Sequence, residues 1–266
     1  MKKAFKILSK IFLFFFLTII TQIGGIVYLI SLFISKKWKV QFRFKLFVIF
    51  ISLYLCFTFL IVPIIAPFFG RERVKHSEAI SPANYITVLL NRNYVKPELN
   101  NLLRFVAVDL SELNIKISYL DANFPFINKF PLLPHLSHND GKKIDISLIY
   151  EDVKGNISIK QKSISGYGVF VEPKLSEQNQ TEFCKNEGYF QYDYPKYLTF
   201  GKVNNELVFS EKGTKKLINS LLRSNNLGKI FIEPHLKNRL GLIDERIRFQ
   251  GCRAVRHDDH IHLQLK

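Results

Sequence analysis

Two long apolar runs dominate the first quarter of the chain. Ile11 to Ser35 carries no charged residue, and Leu46 to Gly70 repeats the pattern. Each is about 25 residues, enough for a helix to cross a hydrocarbon layer of roughly 30 Å with some tilt. A cleaved signal peptide has a shorter apolar core closed by a small-residue cleavage site, so the first run is expected as a retained span. Past residue 75 the periods shorten. Pro97 to Leu103 predicts a short helix with proline in its first turn. Phe105–Val108, Ile115–Tyr119 and Ile144–Tyr150 have strand composition. Residues 76–95, punctuated by Ser81-Pro82, are expected as a linker. Phe124–Pro134, aromatic and rich in proline, predicts a rigid loop, and 154–198, rich in Gly, Ser, Asn, Gln and Tyr, predicts long surface loops.

The C-terminal third is more regular. Ser210 and Gly213 open a predicted helix running to Leu222 on a shared apolar face. Lys229–Glu233 predicts a strand, Pro234 starts a short helix through Leu240, and Arg246–Phe249 leads into the last segment. His260-Ile261-His262-Leu263-Gln264-Leu265 alternates strictly. As a strand it sends His260, His262 and Gln264 to one face and the three aliphatic side chains to the other. The whole predicts an α+β fold, with a small central antiparallel or mixed sheet and flanking helices, preceded by two transmembrane helices at about 11–35 and 46–70. The domains expected are a membrane anchor over 1–75, the linker over 76–95 and a soluble domain over 96–266.

Charge refines this picture. The formal net charge is +16, but residues 1–75 hold 12 Lys and Arg against the single acid Glu72, leaving +5 for the other 191 residues. The excess therefore borders the apolar runs, where anionic lipid headgroups attract it. No basic stripe interleaved with aromatics marks the remainder, which argues against a nucleic-acid partner. Lys36, Lys37, Lys39, Arg43 and Lys45 favour a cytoplasmic loop between the runs, while Lys2, Lys3, Lys6 and Lys10 draw the N-terminus to the same side. Two spans cannot satisfy both, so charge leaves the orientation open. Cys184 and Cys252 are the only thiols past the apolar runs, and their number fits a disulfide or two separate thiols equally.

Candidate chemistry lies in two distant clusters. Five of the seven histidines fall in His135-Leu136-Ser137-His138 and His257-Asp258-Asp259-His260-Ile261-His262. Catalytic zinc takes three protein ligands, commonly imidazole nitrogens and carboxylate oxygens, and keeps a position open. His138, Asp145 and His262 supply such a set, with Gly141 turning the chain between the first two. His260, roughly 6–7 Å along the same strand face, suits a general base. His257 and His135 are candidates for orienting ligands, binding substrate or holding developing charge. Asp258 and Asp259 are either partners of these histidines or an ordinary solvated turn. His235 and His76 are expected at the surface without a role.

These strings resemble the penicillin-insensitive murein endopeptidases, within a wider zinc group that includes D,D-carboxypeptidases and D-Ala-D-Ala dipeptidases. The resemblance rests on His135-x-x-His138, six intervening residues, Asp145, and then His257-x-x-His260-x-His262. His135 to Gly141, and the Lys229–Pro234 segment before the terminal motif, are also similar. It covers roughly 121–155 and 208–265, is weak between them and is absent from the apolar runs. The resemblance implies zinc on His138, Asp145 and His262, His260 as catalytic base and His257 assisting. It implies His135, Ser137 and Asp259 beside the substrate or the ligands.

The same likeness implies peptidoglycan cross-links as substrate, cut after D-alanine, and a catalytic domain facing the periplasm or cell wall from a bacterial cytoplasmic membrane. That places membrane lipids, and an envelope protein, among the expected partners. A zinc D,D-carboxypeptidase or dipeptidase and a membrane-anchored wall-binding protein with structural zinc stand as alternatives. The chain departs from the family in its two-span anchor, its two soluble cysteines and its divergent 154–205 region.

Overall fold

The computed structural model describes residues 2–266. Two units partition them. The first combines the stretch up to Val74 with Ile86–Pro97 and Ala122–Gly141, and the second combines Lys75–Tyr85, Glu98–Asp121 and Lys142–Lys266.

In the first unit the opening apolar run is broken. Helix α1 (Lys2–Thr21) and helix α2 (Gly24–Lys37) replace the single span expected over 11–35. The break has a local cause. Thr18 and Thr21 return their hydroxyls to the carbonyls of Phe14 and Leu17, Gln22 adopts a left-handed φ of 65°, and the Gly24 amide caps onto Thr21 Oγ1 at 2.8 Å. The two helices then pack closely: a Cβ on Gly25 would lie 2.0 Å from Thr18 Oγ1 and 2.7 Å from the Phe14 carbonyl. Helix α2 has 14 residues, about 21 Å of rise, and is too short to cross a hydrocarbon core alone.

The second run is one continuous helical segment, Lys45–Phe69. It passes from α3 (Lys45–Cys56) through a π-helical stretch, Phe57–Ile61, into α4 (Val62–Ile65) and a closing 3-10 turn, Ala66–Phe69. Pro63 and Pro67 lack the amide hydrogen an α-helix needs, so the winding changes around them. Lys3–Thr21 and Lys45–Phe69 are the two helices among the described residues long and apolar enough to cross a membrane.

A core of Ile23, Val27, Tyr54, Val62, Ala66 and Tyr94 joins these helices to later chain, with Phe126 packed against it. Tyr94 belongs to β3 (Tyr94–Val95), paired antiparallel with β1 (Glu72–Arg73). Tyr94 and Asn123 exchange backbone hydrogen bonds of 3.0 and 3.1 Å. Residues 122–141, which carry His135 and His138, are thus built into the unit of the apolar helices. As expected, 124–134 forms no regular element.

The second unit holds a six-stranded mixed sheet in the order β10-β9-β11-β5-β4-β2. Its strands are β2 (Ile80–Pro82), β4 (Ile117–Tyr119), β5 (Lys143–Ser147), β9 (Leu227–Phe231), β10 (Ile247–Arg248) and β11 (His260–Leu265). The terminal strand β11 lies at the centre, antiparallel to both β5 and β9. Its alternation works as read: Ile261, Leu263 and Leu265 enter the core with Ile144, Ile146 and Ile230. A smaller sheet joins β6 (Tyr150–Glu151) to β7 (Ile157–Ser158) and β8 (Val208–Phe209).

Several elements differ from expectation. Stretch 76–95 is no linker, since it contributes β2, α5 (Tyr85–Leu89) and β3. Phe105–Val108 is the last part of α6 (Pro97–Asp109) and not a strand. Leu99, Leu102, Leu103 and Val106 are buried at the i, i+3, i+4, i+7 spacing of one helical face, which overrides the local β-propensity of Phe105 and Val106. The irregular 154–198 region contains α7 (Gln180–Asn186), tied by the Cys184–Cys252 disulfide to the chain ahead of the terminal histidines. Helix α8 (Glu211–Leu222) starts where predicted, with Ser210 Oγ accepting from the Gly213 amide, and α9 (Pro234–Arg239) follows β9.

Candidate metal centre

Strand pairing builds one half of the site. Residues opposite one another in an antiparallel ladder share a face, and the β5–β11 register sets His262 opposite Asp145 and His260 opposite Ser147. The Asp145 carboxylate, 1% exposed, gathers three side chains. His262 Nδ1 lies 2.8 Å from Oδ1, the Tyr167 hydroxyl donates to Oδ2 at 2.8 Å, and His260 Nε2 stands 3.7 Å from Oδ1. The imidazole centroids of His257 and His260 are 4.9 Å apart, and those of His257 and His262 are 5.9 Å apart.

His135 and His138 sit on the turn of residues 135–138, their ring centroids 5.5 Å apart. His138 is buried, and its Nδ1 lies 2.7 Å from the Ala122 carbonyl. A carbonyl can only accept, so the proton sits on Nδ1 and Nε2 is the basic nitrogen. This is the outer partner that a metal-bound histidine ordinarily has. Gly141 turns the chain towards β5 at φ 81°, as anticipated. One ligand atom each from His135, His138 and Asp145 lies within 4.8 Å of the others. A cluster of two imidazoles and a carboxylate, with His138 and Asp145 buried, is compatible with a divalent metal. Sequence reasoning placed His135 beside the ligands and His262 among them. The cluster takes in His135, and His262 meets Asp145 within the β5–β11 ladder.

The remaining expected residues fall close by. Asp259 and Asp258 are buried partners and not a solvated turn. Asp259 Oδ1 is 2.5 Å from His260 Nδ1, and its Oδ2 takes the Gly168 amide at 2.6 Å. Burial pulls the His260 pKa down, but the charges of Asp259 and Asp145 outweigh it and push the imidazole up to about 9. Burial pushes the Asp258 carboxyl up, opposed by Arg256, whose Nε and Nη2 reach both of its oxygens at 2.7 and 2.5 Å. The Arg256 guanidinium also covers the Phe170 ring, 3.8 Å from its centroid. Ser137 is half-buried within the 135–138 turn, where its carbonyl accepts the Asn139 amide.

Three residues near the site were missed or misplaced in the sequence reading. Tyr167 holds Asp145 and packs edge-on against His260 at 5.0 Å. Glu233, 1% exposed, accepts the His257 amide at 2.9 Å and the Tyr192 hydroxyl at 2.7 Å, and burial raises its pKa. His235, expected at the surface, is 3% exposed because α9 turns it inward. Its Nε2 lies 2.8 Å from the Val171 carbonyl and 3.7 Å from Asp258 Oδ2, and burial lowers its pKa. His76 does lie at the surface, 2.6 Å from the Tyr119 hydroxyl. The one available signal for Glu233 was its place between a strand and the helix-starting Pro234. Tyr167 carried none, being in a loop without period.

The buried His/His/Asp cluster beside a mixed sheet marks a candidate metalloenzyme of α+β class carrying two apolar helices of membrane-spanning length. No protein-family model matches the chain, and no curated protein does.

Proposed function

We propose that this protein is a zinc-dependent peptidase acting on peptidoglycan, cutting cross-links after D-alanine from the outer face of a bacterial cytoplasmic membrane. The observation that carries the reading is the buried Asp145 carboxylate, which lies within ligand distance of His135 and His138 and is met within its own sheet by His262 and His260, because these groups can supply both metal ligands and a separate base. His138, Asp145 and His262 hold the ion, and His135 borders it. The donor chemistry fits zinc, which accepts imidazole and carboxylate in hydrolytic sites. When bound, the ion supplies Lewis acidity towards a water and a substrate carbonyl.

The chain's own groups handle the proton. The charges of Asp259 and Asp145 hold metal-free His260 protonated at neutral pH. A cation on Asp145 would offset that charge, and with Asp259 keeping the Nδ1 proton, Nε2 would be the atom that accepts a proton from the attacking water. As the carbon–oxygen bond forms and the amide carbon–nitrogen bond breaks, His260 Nε2 returns that proton to the departing amine. Glu233 fixes the His257 backbone so that its imidazole flanks the developing negative charge. The Cys184–Cys252 disulfide supports an oxidising compartment, and the basic residues around the apolar helices support contact with anionic lipid.

Incubating the purified full-length protein with sacculi, and identifying the muropeptides released, tests the reading. Loss of dimeric cross-links with zinc present and none with a chelator is expected. Loss of terminal D-alanine with cross-links intact would make it a carboxypeptidase. Bound zinc without any cleavage would leave the wall-binding alternative.

A further inference from the structure

Segment 122–141 has no helix and only an isolated bridge at Asn123, yet it must present two histidines with ångström precision. One buried cation is tied to it at three points. Arg71 lies just past the end of the Lys45–Phe69 helix and is 1% exposed. Its Nη1 donates to the Phe124 carbonyl, and its Nη2 donates to Asn128 Oδ1 at 2.6 Å and to the Asn139 carbonyl at 3.1 Å. The three acceptors bracket the histidines: two precede them, and Asn139 directly follows His138. The Asn139 carbonyl also takes the Lys129 amide at 2.8 Å, closing the loop on itself. Gly141 completes the fit, because a Cβ there would lie 3.1 Å from Arg71 Nε. A second tie runs from the helices, with the Phe126 amide donating to Gln22 Oε1 at 2.8 Å.

We propose that Arg71 is a positioning residue for the metal centre, holding the segment that carries His135 and His138 and coupling it to the end of the apolar helix. The inference rests on the metal-dependent reading above. Burying a guanidinium is costly unless its donors are matched, and a flexible lysine could not span three acceptors of fixed spacing. Burial lowers the Arg71 pKa, with Asp140 opposing. The apolar helices are then part of the site's scaffold as well as its anchor.

The test uses the full-length protein in nanodiscs, comparing wild type with Arg71→Lys, Arg71→Gln and the milder Asn128→Ala. Zinc affinity is read by competition with a chromophoric chelator, and ligand geometry by the visible spectrum of the cobalt-substituted protein. Outer partners of metal ligands are worth about 10–100-fold in affinity. The Arg71 variants are expected to fall by that factor with an altered cobalt spectrum, and Asn128→Ala to move the same way by less. The thermal unfolding temperature of the metal-free protein is expected to fall in the Arg71 variants, whose acceptors are left buried and unmatched, so the cobalt spectrum of the folded protein is the readout specific to positioning. Should Arg71→Gln fail to fold, Asn128→Ala alone decides. Affinity within twofold of wild type and an unchanged cobalt spectrum in the folded variants would overturn the positioning role alone. A wild type that binds no zinc would overturn the metal reading and this inference with it.

Discussion

His262 and Asp145 are direct cross-strand partners at the centre of the mixed sheet, with Nδ1 of the imidazole 2.8 Å from Oδ1 of the carboxylate. Neither position tolerates a slip. Moving β11 by one residue against β5 would send His260 and His262 to the opposite face, and the aliphatic residues between them anchor the register in the core. The chemistry of the site is therefore written into the same ladder that stabilises the fold.

Replacing Asp145 with Asn keeps the shape and removes the charge on which His262, His260 and Tyr167 converge. Zinc binding is expected to weaken by more than the ~100-fold upper range for outer partners, with far-UV circular dichroism retained. Metal analysis after dialysis checks this, and stoichiometric zinc in the variant would remove Asp145 from the ligand set. His262→Ala should lose metal likewise. His135→Ala should keep it if His138, Asp145 and His262 are the ligands; loss of metal in His135→Ala with metal retained in His262→Ala would assign the ion to the His135, His138 and Asp145 cluster instead.

Asp259→Asn probes the base separately. The Gly168 amide donates to one carboxylate oxygen, so the Asn side chain will turn its oxygen to Gly168 and its NH2 to His260 Nδ1. That forces the imidazole proton onto Nε2, the atom required to be basic. A fall in kcat of about 10²–10⁴ is expected, by analogy with the same exchange in hydrolytic triads, with zinc content unchanged. Wild-type turnover in the variant would detach Asp259 from the proton path.

Arg239 reaches both oxygens of Glu177 at 2.9 and 2.5 Å, tying the 172–177 loop to α9. The hydrogen bond from Arg239 is the main reason the Glu177 carboxyl is held down to about 2. A carboxylate with a depressed folded-state pKa stabilises the protein above its unfolded value near 4.3, and that contribution disappears as pH falls towards 2. Urea midpoints of wild type and Arg239→Met should therefore differ at pH 6 and converge as pH drops from about 4.5 to 2. A gap independent of pH would show that packing of the Arg239 stem, and not the ion pair, is what matters.

How much of this was legible depended on whether a signal was local. β11 and α8 carried their own period and cap, and each appears within a residue or so of its predicted bounds. The Asp145–His262 contact spans 117 residues, but a period-two strand and a plausible ligand set were enough to propose it. Phe105 and Val108 misled because propensity was weighed without the helical face that Leu99, Leu102 and Leu103 had begun. The partners Tyr167, Gly168 and Val171 come from a loop that meets 258–259 only after folding, and no spacing announces them. The Arg71 contacts failed for the same reason: a cation beside an apolar run looks like a headgroup anchor until its acceptors are known.

The break at Thr21–Gly24 also bears on the orientation that charge left unresolved. Ile7 and Lys10 of α1 line one groove with Leu29 and Leu32 of α2, so the two helices run antiparallel. The start of α1 and the end of α2 then lie at the same end of the hairpin, bringing Lys3, Lys6 and Lys10 to the side of Lys36 and Lys37. A single apolar run forced those groups to opposite membrane faces; a hairpin lets both obey the positive-inside preference. The hairpin predicts that Lys45–Phe69 alone carries the chain across, with the N-terminus on the side of the 38–44 loop and opposite the end where that helix stops. In a Cys56→Ser background, cysteines at Lys6 and Lys39 should react with an impermeant maleimide only after cells are permeabilised, while one at Lys75 should react in intact cells. Labelling of Lys6→Cys from outside, with Lys39→Cys protected, would restore two full spans and sink the hairpin.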